Sequence, residues 1–239
     1  MRRYDKVKAW HFVRKNPNGC PVLRDGRLAV LGLRYTHEGP LELCESGLHA
    51  STRAVDALRY APGSVACRVE CSGRLRYGYD KLVCSARTIL AMDDAEELLW
   101  RFACDCAARA IELYGSDLTE DQRDACWTAI AMRLAWLEGL ADDQMLRDAA
   151  SAATAAYFAS AAAYASVATA AAAADADADA AAAAADAAAA TYAYYAAYAA
   201  AAAAAGNVRD YARVDERDAQ NDELERRLQE LLGLKGTTR

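Results

Sequence analysis

Histidine is the side chain whose charge changes near neutral pH, and this chain has three. His49 lies in Gly47-Leu48-His49-Ala50-Ser51, just ahead of a segment with helical spacing. Little bulk flanks its ring, so the ring could reach a ligand, and N–H groups at a helix start would favour an anion there. The competing reading is that His49 hydrogen-bonds locally and holds a turn. His11 follows Trp10 on a strand-like segment, and Arg87 sits on a later one. His49, His11, Trp10, Ser51 and Arg87 are therefore the candidate ligand-binding residues. His37, beside Glu38-Gly39-Pro40, reads as an exposed loop residue.

No catalytic residue can be assigned. The chain has no Ser-His-Asp order, phosphate-binding glycine loop or His-Glu-x-x-His spacing. Its eight cysteines form no C-x-x-C pair, so no metal and no structural zinc is expected. Cys44 with His49, or Cys104 with Cys106, would need further ligands. The opening Met-Arg-Arg-Tyr-Asp-Lys is charged and no apolar run follows it. The expectation is thus a cytoplasmic protein with reduced, mostly buried thiols.

These residues need a scaffold, and the composition limits where it lies. Hydrophobic residues make up 54% of the chain, but much of that is alanine, which buries little more than a methyl group. The core must come from the first 140 residues, where nearly all Leu, Val, Ile and Trp lie. A net charge of −6 argues against nonspecific nucleic-acid binding. A DNA-reading helix-turn-helix is disfavoured by the acidic loop with Asp117, Glu120 and Asp121, which would repel phosphate.

The pattern predicts an α+β protein. Residues 6–13 read as a strand, Asp25-Gly26 as a hairpin turn, and Leu28–Tyr35 and Leu41–Cys44 as further strands. Ser51 is a natural N-cap for a short helix with Ala54, Val55 and Leu58 inward. Val65, Cys67, Val69 and Cys71 alternate onto one face of a strand, with Arg68 and Glu70 on the other. Lys81–Leu90 supplies a last strand. Helical spacing follows: Asp94 with Glu97 forms a capping-box pattern ahead of Leu98, Phe102, Cys106 and Leu113. Thr119 with Gln122 repeats it ahead of Trp127, Ile130, Leu134 and Leu137. The expected layout is a small mixed α/β domain over 1–92, a helical pair over 93–140, an Ala-rich helix or hairpin over 141–205 and a charged amphipathic helix over 206–239.

In the Ala-rich tract, 39 of the 57 residues from Ala149 to Ala205 are alanine, with no Gly or Pro. Alanine is the strongest helix former, so one continuous helix would run about 85 Å at about 1.5 Å per residue. Alanine is close to neutral for membrane insertion and no basic residues flank the tract tightly, so no membrane span is expected. A surface of this length with only four charged residues should fold back or pair, which predicts self-association or a protein partner. Leu224, Leu228, Leu231 and Leu232 form one stripe on the last helix.

Certain motifs carry a resemblance. Pro40-Leu41-Glu42-Leu43-Cys44-Glu45-Ser46-Gly47-Leu48-His49-Ala50-Ser51, with Ala57–Gly63, Cys67–Glu70, Asp80–Val83 and Arg87–Leu90, resembles an uncharacterised family of phage and prophage genomes. In its members an Ala-rich tract follows the domain. The resemblance implies a phage context and no assigned activity. A looser likeness is to ADP-ribosyltransferases of the poly-ADP-ribose polymerase type, in which a strand histidine, a Gly-x-Tyr-Phe-Ala segment before a helix and a later strand glutamate act together. Trp10-His11 and Gly47-Leu48-His49-Ala50 follow that order, but His49 replaces the tyrosine. Lys81–Leu90 carries Ser85, Arg87 and Thr88 and no glutamate. That likeness implies NAD binding more readily than transfer. The leading expectation is a non-enzymatic phage-associated interaction protein with no cofactor. The alternative is a nucleotide (NAD)-binding or ADP-ribosyltransferase-like enzyme using His11 and His49.

Overall fold

The computed structural model describes residues 6–114, 119–149 and 209–234. The fold is α+β. Its strands are β1 (Val7–Lys15), β2 (Pro21–Val22), β3 (Arg34–Thr36), β4 (Leu48–Ala50), β5 (Val65–Tyr77) and β6 (Leu82–Asp94), with helix α1 (Ala54–Leu58) between β4 and β5. Helices α2 (Glu96–Tyr114), α3 (Glu120–Leu137) and α4 (Arg209–Leu231) follow. Of the Ala-rich helix expected over 141–205, residues 150–205 lie outside the described residues. The chain forms two compact units, Met1–Glu96 with Asn221–Arg239, and Glu97–Gln220.

In the first unit every strand pairing is antiparallel, and the order is β2-β1-β5-β6-β3 with β4 also paired to β6. The long β5 and β6 hold it together, with register shifts at Arg68/Val69 and Ser72/Leu75. Such irregularities bend a strand and increase its twist. The sheet curls until β1 meets the residue after β4. Trp10 N–H donates to Ser51 O at 2.7 Å and Ser51 N–H returns the bond to Trp10 O at 3.0 Å. The alternation read from Val65 to Cys71 holds, and those four side chains are buried together with Ala9, Val13, Tyr35, Leu48, Ala50, Cys84 and Ile89.

Several expectations are corrected. Leu28–Tyr35 is not one strand: Leu28 makes an isolated bridge to Val22, and only Arg34–Thr36 forms a strand, paired with β6. Gly32 turns at φ 76° and donates to Ile89 O, leaving Leu28, Val30, Leu31 and Leu33 exposed. Leu41–Cys44 is a tight loop bridged Glu42 to Ser46, with Cys44 at φ 72°. Ser51 does not cap α1, because its backbone is committed to Trp10. The N-cap position falls to Arg53, which makes no side-chain capping bond.

The missing cap comes from the far end of the sequence. Glu225 Oε1 accepts the Ala54 N–H at 3.2 Å, and Asn221 Oδ1 accepts that of Val55 at 3.4 Å. Leu224 and Leu228 of α4 are fully buried. The leucine stripe thus makes the part of α4 from Asn221 onward belong to the same unit as β1–β6.

In the second unit α2 and α3 run antiparallel, since Arg101 near the start of α2 pairs with Glu138 just past α3 at 3.5 Å. Leu99, Phe102, Ala103, Cys106 and Ala110 are buried, so the α2 stripe is centred on Leu99 rather than Leu98. Asp94 accepts the Glu96 N–H at 3.3 Å, while Glu97 pairs with Arg101 instead of closing a capping box. On α3 the expected core residue Trp127 is 37% exposed, and Cys126, Ala129 and Arg133 are buried instead. The Arg133 guanidinium lies 3.9 Å from the Trp100 ring centre and 5.1 Å from that of Trp136. Burial lowers its pKa to about 10. Asp142 Oδ1 accepts the Met145 N–H at 2.8 Å and caps the helical residues 143–149.

Candidate ligand-binding site

Cross-strand register decides which side chains share the inner face of the curl. His11 stands opposite Cys67, and Arg87 stands opposite both Cys71 on β5 and Tyr35 on β3. These three partners belong to the buried core, so His11 and Arg87 bring polar groups to an otherwise apolar interior. A cavity of about 420 Å³ opens there. Trp10, His11 and Phe12 of β1 line it, facing Leu48, His49, Ala50 and Ser51. All five residues singled out in the sequence line this one cavity.

Arg87 is 3% exposed. Its Nη1 donates to His49 O at 2.6 Å, and its buried Nε has no hydrogen-bond partner among the described residues. Burial pushes its pKa down from the ordinary arginine value. Leaving a buried donor unmade costs about 1–3 kcal/mol, more for a charged group. Arg87 thus lines the cavity with one donor unmet.

Burial disfavours the charged form of both cavity histidines. Burial, reinforced by Arg87, Arg24 and His49, holds His11 well below its ordinary pKa. Burial also lowers His49, with Lys81 and Arg87 adding to it. Its Nε2 accepts the Cys44 N–H at 3.0 Å, which requires an unprotonated nitrogen there. Gly47 is required beside it: at φ 115°, an added Cβ would lie 2.4 Å from Val83 Cγ2. His37 is not a bare loop residue; its Nε2 lies 3.1 Å from Pro40 O and 3.0 Å from Ser46 Oγ, bracing the other side of the same loop.

Arg24, Asp25, Cys44, Glu45, Tyr60 and Lys81 also line the cavity and were not singled out in the sequence. They come from loops that converge only once the sheet has curled. Lys81 Nζ sits 3.9 Å from the Tyr60 ring centre. Burial opposes its charge, but hydrogen bonds with Cys44 and Tyr60 prevail and raise its pKa. Asp25 is tied to Arg27 at 2.6 Å, and Arg24 donates to Tyr60 O at 3.1 Å. The lining thus carries three cationic side chains against two carboxylates, one of them already paired.

Residues 7–101 match a family model described as Domain of unknown function (DUF7666). The match covers β1 through the first turns of α2 and therefore every residue of the cavity lining. It makes this segment similar to an uncharacterised domain family. No curated protein and no solved structure matches the chain. All eight cysteines are free thiols. No described helix is long and apolar enough to cross a membrane. Among the described residues no group of three or more His, Cys, Asp or Glu could hold a metal.

Proposed function

We propose that the first unit is a binding module for a small anionic ligand of the nucleotide class, acting without turnover. The observation that carries this reading is the buried Arg87, whose unpartnered Nε belongs to a residue on the cavity wall. A cavity of this size is in the range that holds small ligands, about 300–1,000 Å³. Tyr60 offers aromatic surface, and Arg24 and Lys81 add positive charge. An acceptor on Arg87 gains a charge-assisted bond, worth about 1.5–3 kcal/mol.

The test is thermal shift and calorimetric titration with NAD, ADP and the uncharged nucleoside. NAD or ADP should raise the melting temperature and the nucleoside should not, because ligand binding to the native state stabilises by RT ln(1 + [L]/Kd). Lys81→Met and Arg24→Met should each weaken the response without unfolding the protein. No response to any nucleotide-class anion sinks the reading.

A second reading, an ADP-ribosyltransferase-like enzyme, draws on Glu45. No glutamate comes from β6, but Glu45 lines the cavity on the loop before β4. Such an enzyme would lose NAD cleavage in Glu45→Gln while retaining NAD affinity. The Ala-rich residues 141–205 are assigned to self-association or a protein partner. The motif resemblance assigns the whole to a phage-associated accessory role. Sedimentation of the full chain against a chain lacking residues 155–200 tests the former: unchanged mass would remove that assignment.

A further inference from the structure

The cavity lining changes character with depth. Arg24, Asp25, Cys44 and Glu45 are exposed, so charges of both signs stand at the mouth. Leu23, Leu48, Ala50 and Ala57 are buried and make the interior wall apolar. Two polar side chains of the lining are already engaged, His49 Nε2 with the Cys44 N–H and Arg87 Nη1 with His49 O. His11 is half-buried and makes no hydrogen bond among the described residues. Its ring nitrogens are not among the sealed, unpartnered atoms of those residues either, so they open onto the cavity that His11 lines. Burial, with Arg87 and Arg24 adding to it, disfavours the charged ring. A neutral imidazole presents one N–H donor and one lone pair.

We infer that the cavity takes its ligand ring-first: an uncharged heteroaromatic ring of the nucleobase class packs inside against His11, and charged substituents stay in the hydrated mouth. An ionised group pushed against Leu23, Leu48 and Ala50 would lose its water without gaining a partner there, which is costly. A flat ring loses little water and covers the apolar wall. The edge of a nucleobase carries a hydrogen-bond donor and an acceptor side by side, and the neutral His11 ring can meet either one. Binding cavities fix orientation in this way, with few polar groups on a mostly apolar wall. His11 is therefore the residue that selects which end of the ligand lies inside. The inference rests on the nucleotide reading and deepens it, by assigning the base to the interior and the phosphates to the side of Arg24 and Lys81.

The probes are ADP, adenosine and ribose 5-phosphate, added to the full-length protein carrying 15N-labelled histidine. The chain has three histidines, and single His37→Ala and His49→Ala variants assign the His11 imidazole resonance by elimination. ADP should shift that resonance, and millimolar adenosine should shift it in the same direction even where it is too weak to raise the melting temperature. Ribose 5-phosphate should leave it in place. His37 lies outside the lining and should not move with any probe. His11→Leu should weaken ADP about 2- to 10-fold, the worth of one neutral hydrogen bond. Lys81→Met should weaken ADP and leave the adenosine shift unchanged. A His11 resonance moved by ribose 5-phosphate and not by adenosine, or unmoved by every probe, overturns the inference. ADP that binds with His11 unmoved sinks the ring-first orientation and spares the nucleotide reading. Adenosine that shifts His11 while ADP and NAD fail to bind upholds the orientation and sinks the anionic reading.

Discussion

The imidazole Nε2 of His49 accepts the backbone N–H of Cys44 at 3.0 Å, and so a cavity-lining ring also holds a cavity-lining loop. Cys44 sits at φ 72°, where L side chains are disfavoured. The brace and the ligand contact can be separated. His49→Ala should lower stability by about 1 kcal/mol if it only braces the loop, with binding per folded molecule intact. A ligand role would instead leave the melting temperature nearly unchanged and abolish binding. Melting and titration of the same variant decide between them.

Acid should weaken the fold before any carboxylate titrates. His11 and His49 are both held below their ordinary value of 6.5 by burial. Between the folded and unfolded values the unfolded chain binds more protons, so stability rises with pH there. The contribution is complete above about pH 6.5 and is lost as pH falls through the lower folded values. Denaturant midpoints from pH 8 to pH 5 should drop, and His11→Gln should flatten the profile. A wild-type midpoint independent of pH across this range would contradict the lowered pKa of His11.

Gly47→Ala should be among the most damaging single changes in the first unit. The new methyl would meet Val83 Cγ2 at 2.4 Å and Leu41 Cδ2 at 2.9 Å, at a backbone angle suited to glycine. Overpacking of this kind costs about 1–3 kcal/mol, and the positive φ adds to it. The comparison is Gly26→Ala, where φ is 84° but nothing lies within 4 Å. Chemical denaturation should rank Gly47→Ala clearly below Gly26→Ala.

The C-terminal helix is required for the stability of a fold whose strands all lie before residue 95. Leu228→Ala removes a fully buried side chain and should cost about 2–5 kcal/mol. Glu225→Ala together with Asn221→Ala strips the start of α1 of both acceptors. Loss of capping groups costs about 0.5–2 kcal/mol. Urea unfolding of these variants checks both, and a Leu228→Ala midpoint equal to wild type would contradict the packing.

The legible parts of this fold were those written in local periodicity. Val65 to Cys71 alternates because one face is buried along the whole strand, and Leu224 and Leu228 repeat at helical spacing for the same reason. Leu28–Leu33 misleads because an apolar run looks like a buried strand. Gly32 instead turns the chain and the leucines face outward. Ser51 has the chemistry of a cap, yet a backbone pair with Trp10, forty-one positions earlier, claims it. Trp127 shares a helical spacing with Ile130, Leu134 and Leu137, yet its side chain is exposed. For the site, the unusual residues His11, His49 and Arg87 could be picked by type. Lys81, Arg24 and Cys44 could not, because only the curl of the sheet brings their loops to the same opening.

The dependence of α1 on Asn221 and Glu225 also sets a timetable for the ribosome. The chain leaves the first unit at Glu96 and re-enters it at Asn221, with more than a hundred residues of the second unit made in between. At about 5–20 residues per second, that interval is on the order of ten seconds. A sheet that pairs during that interval does so without Leu224 and Leu228, leaving the apolar surface they cover open to chaperones and to neighbouring nascent chains. A message truncated between residues 97 and 220 therefore yields a head with its cavity residues present and without the helix that completes its core.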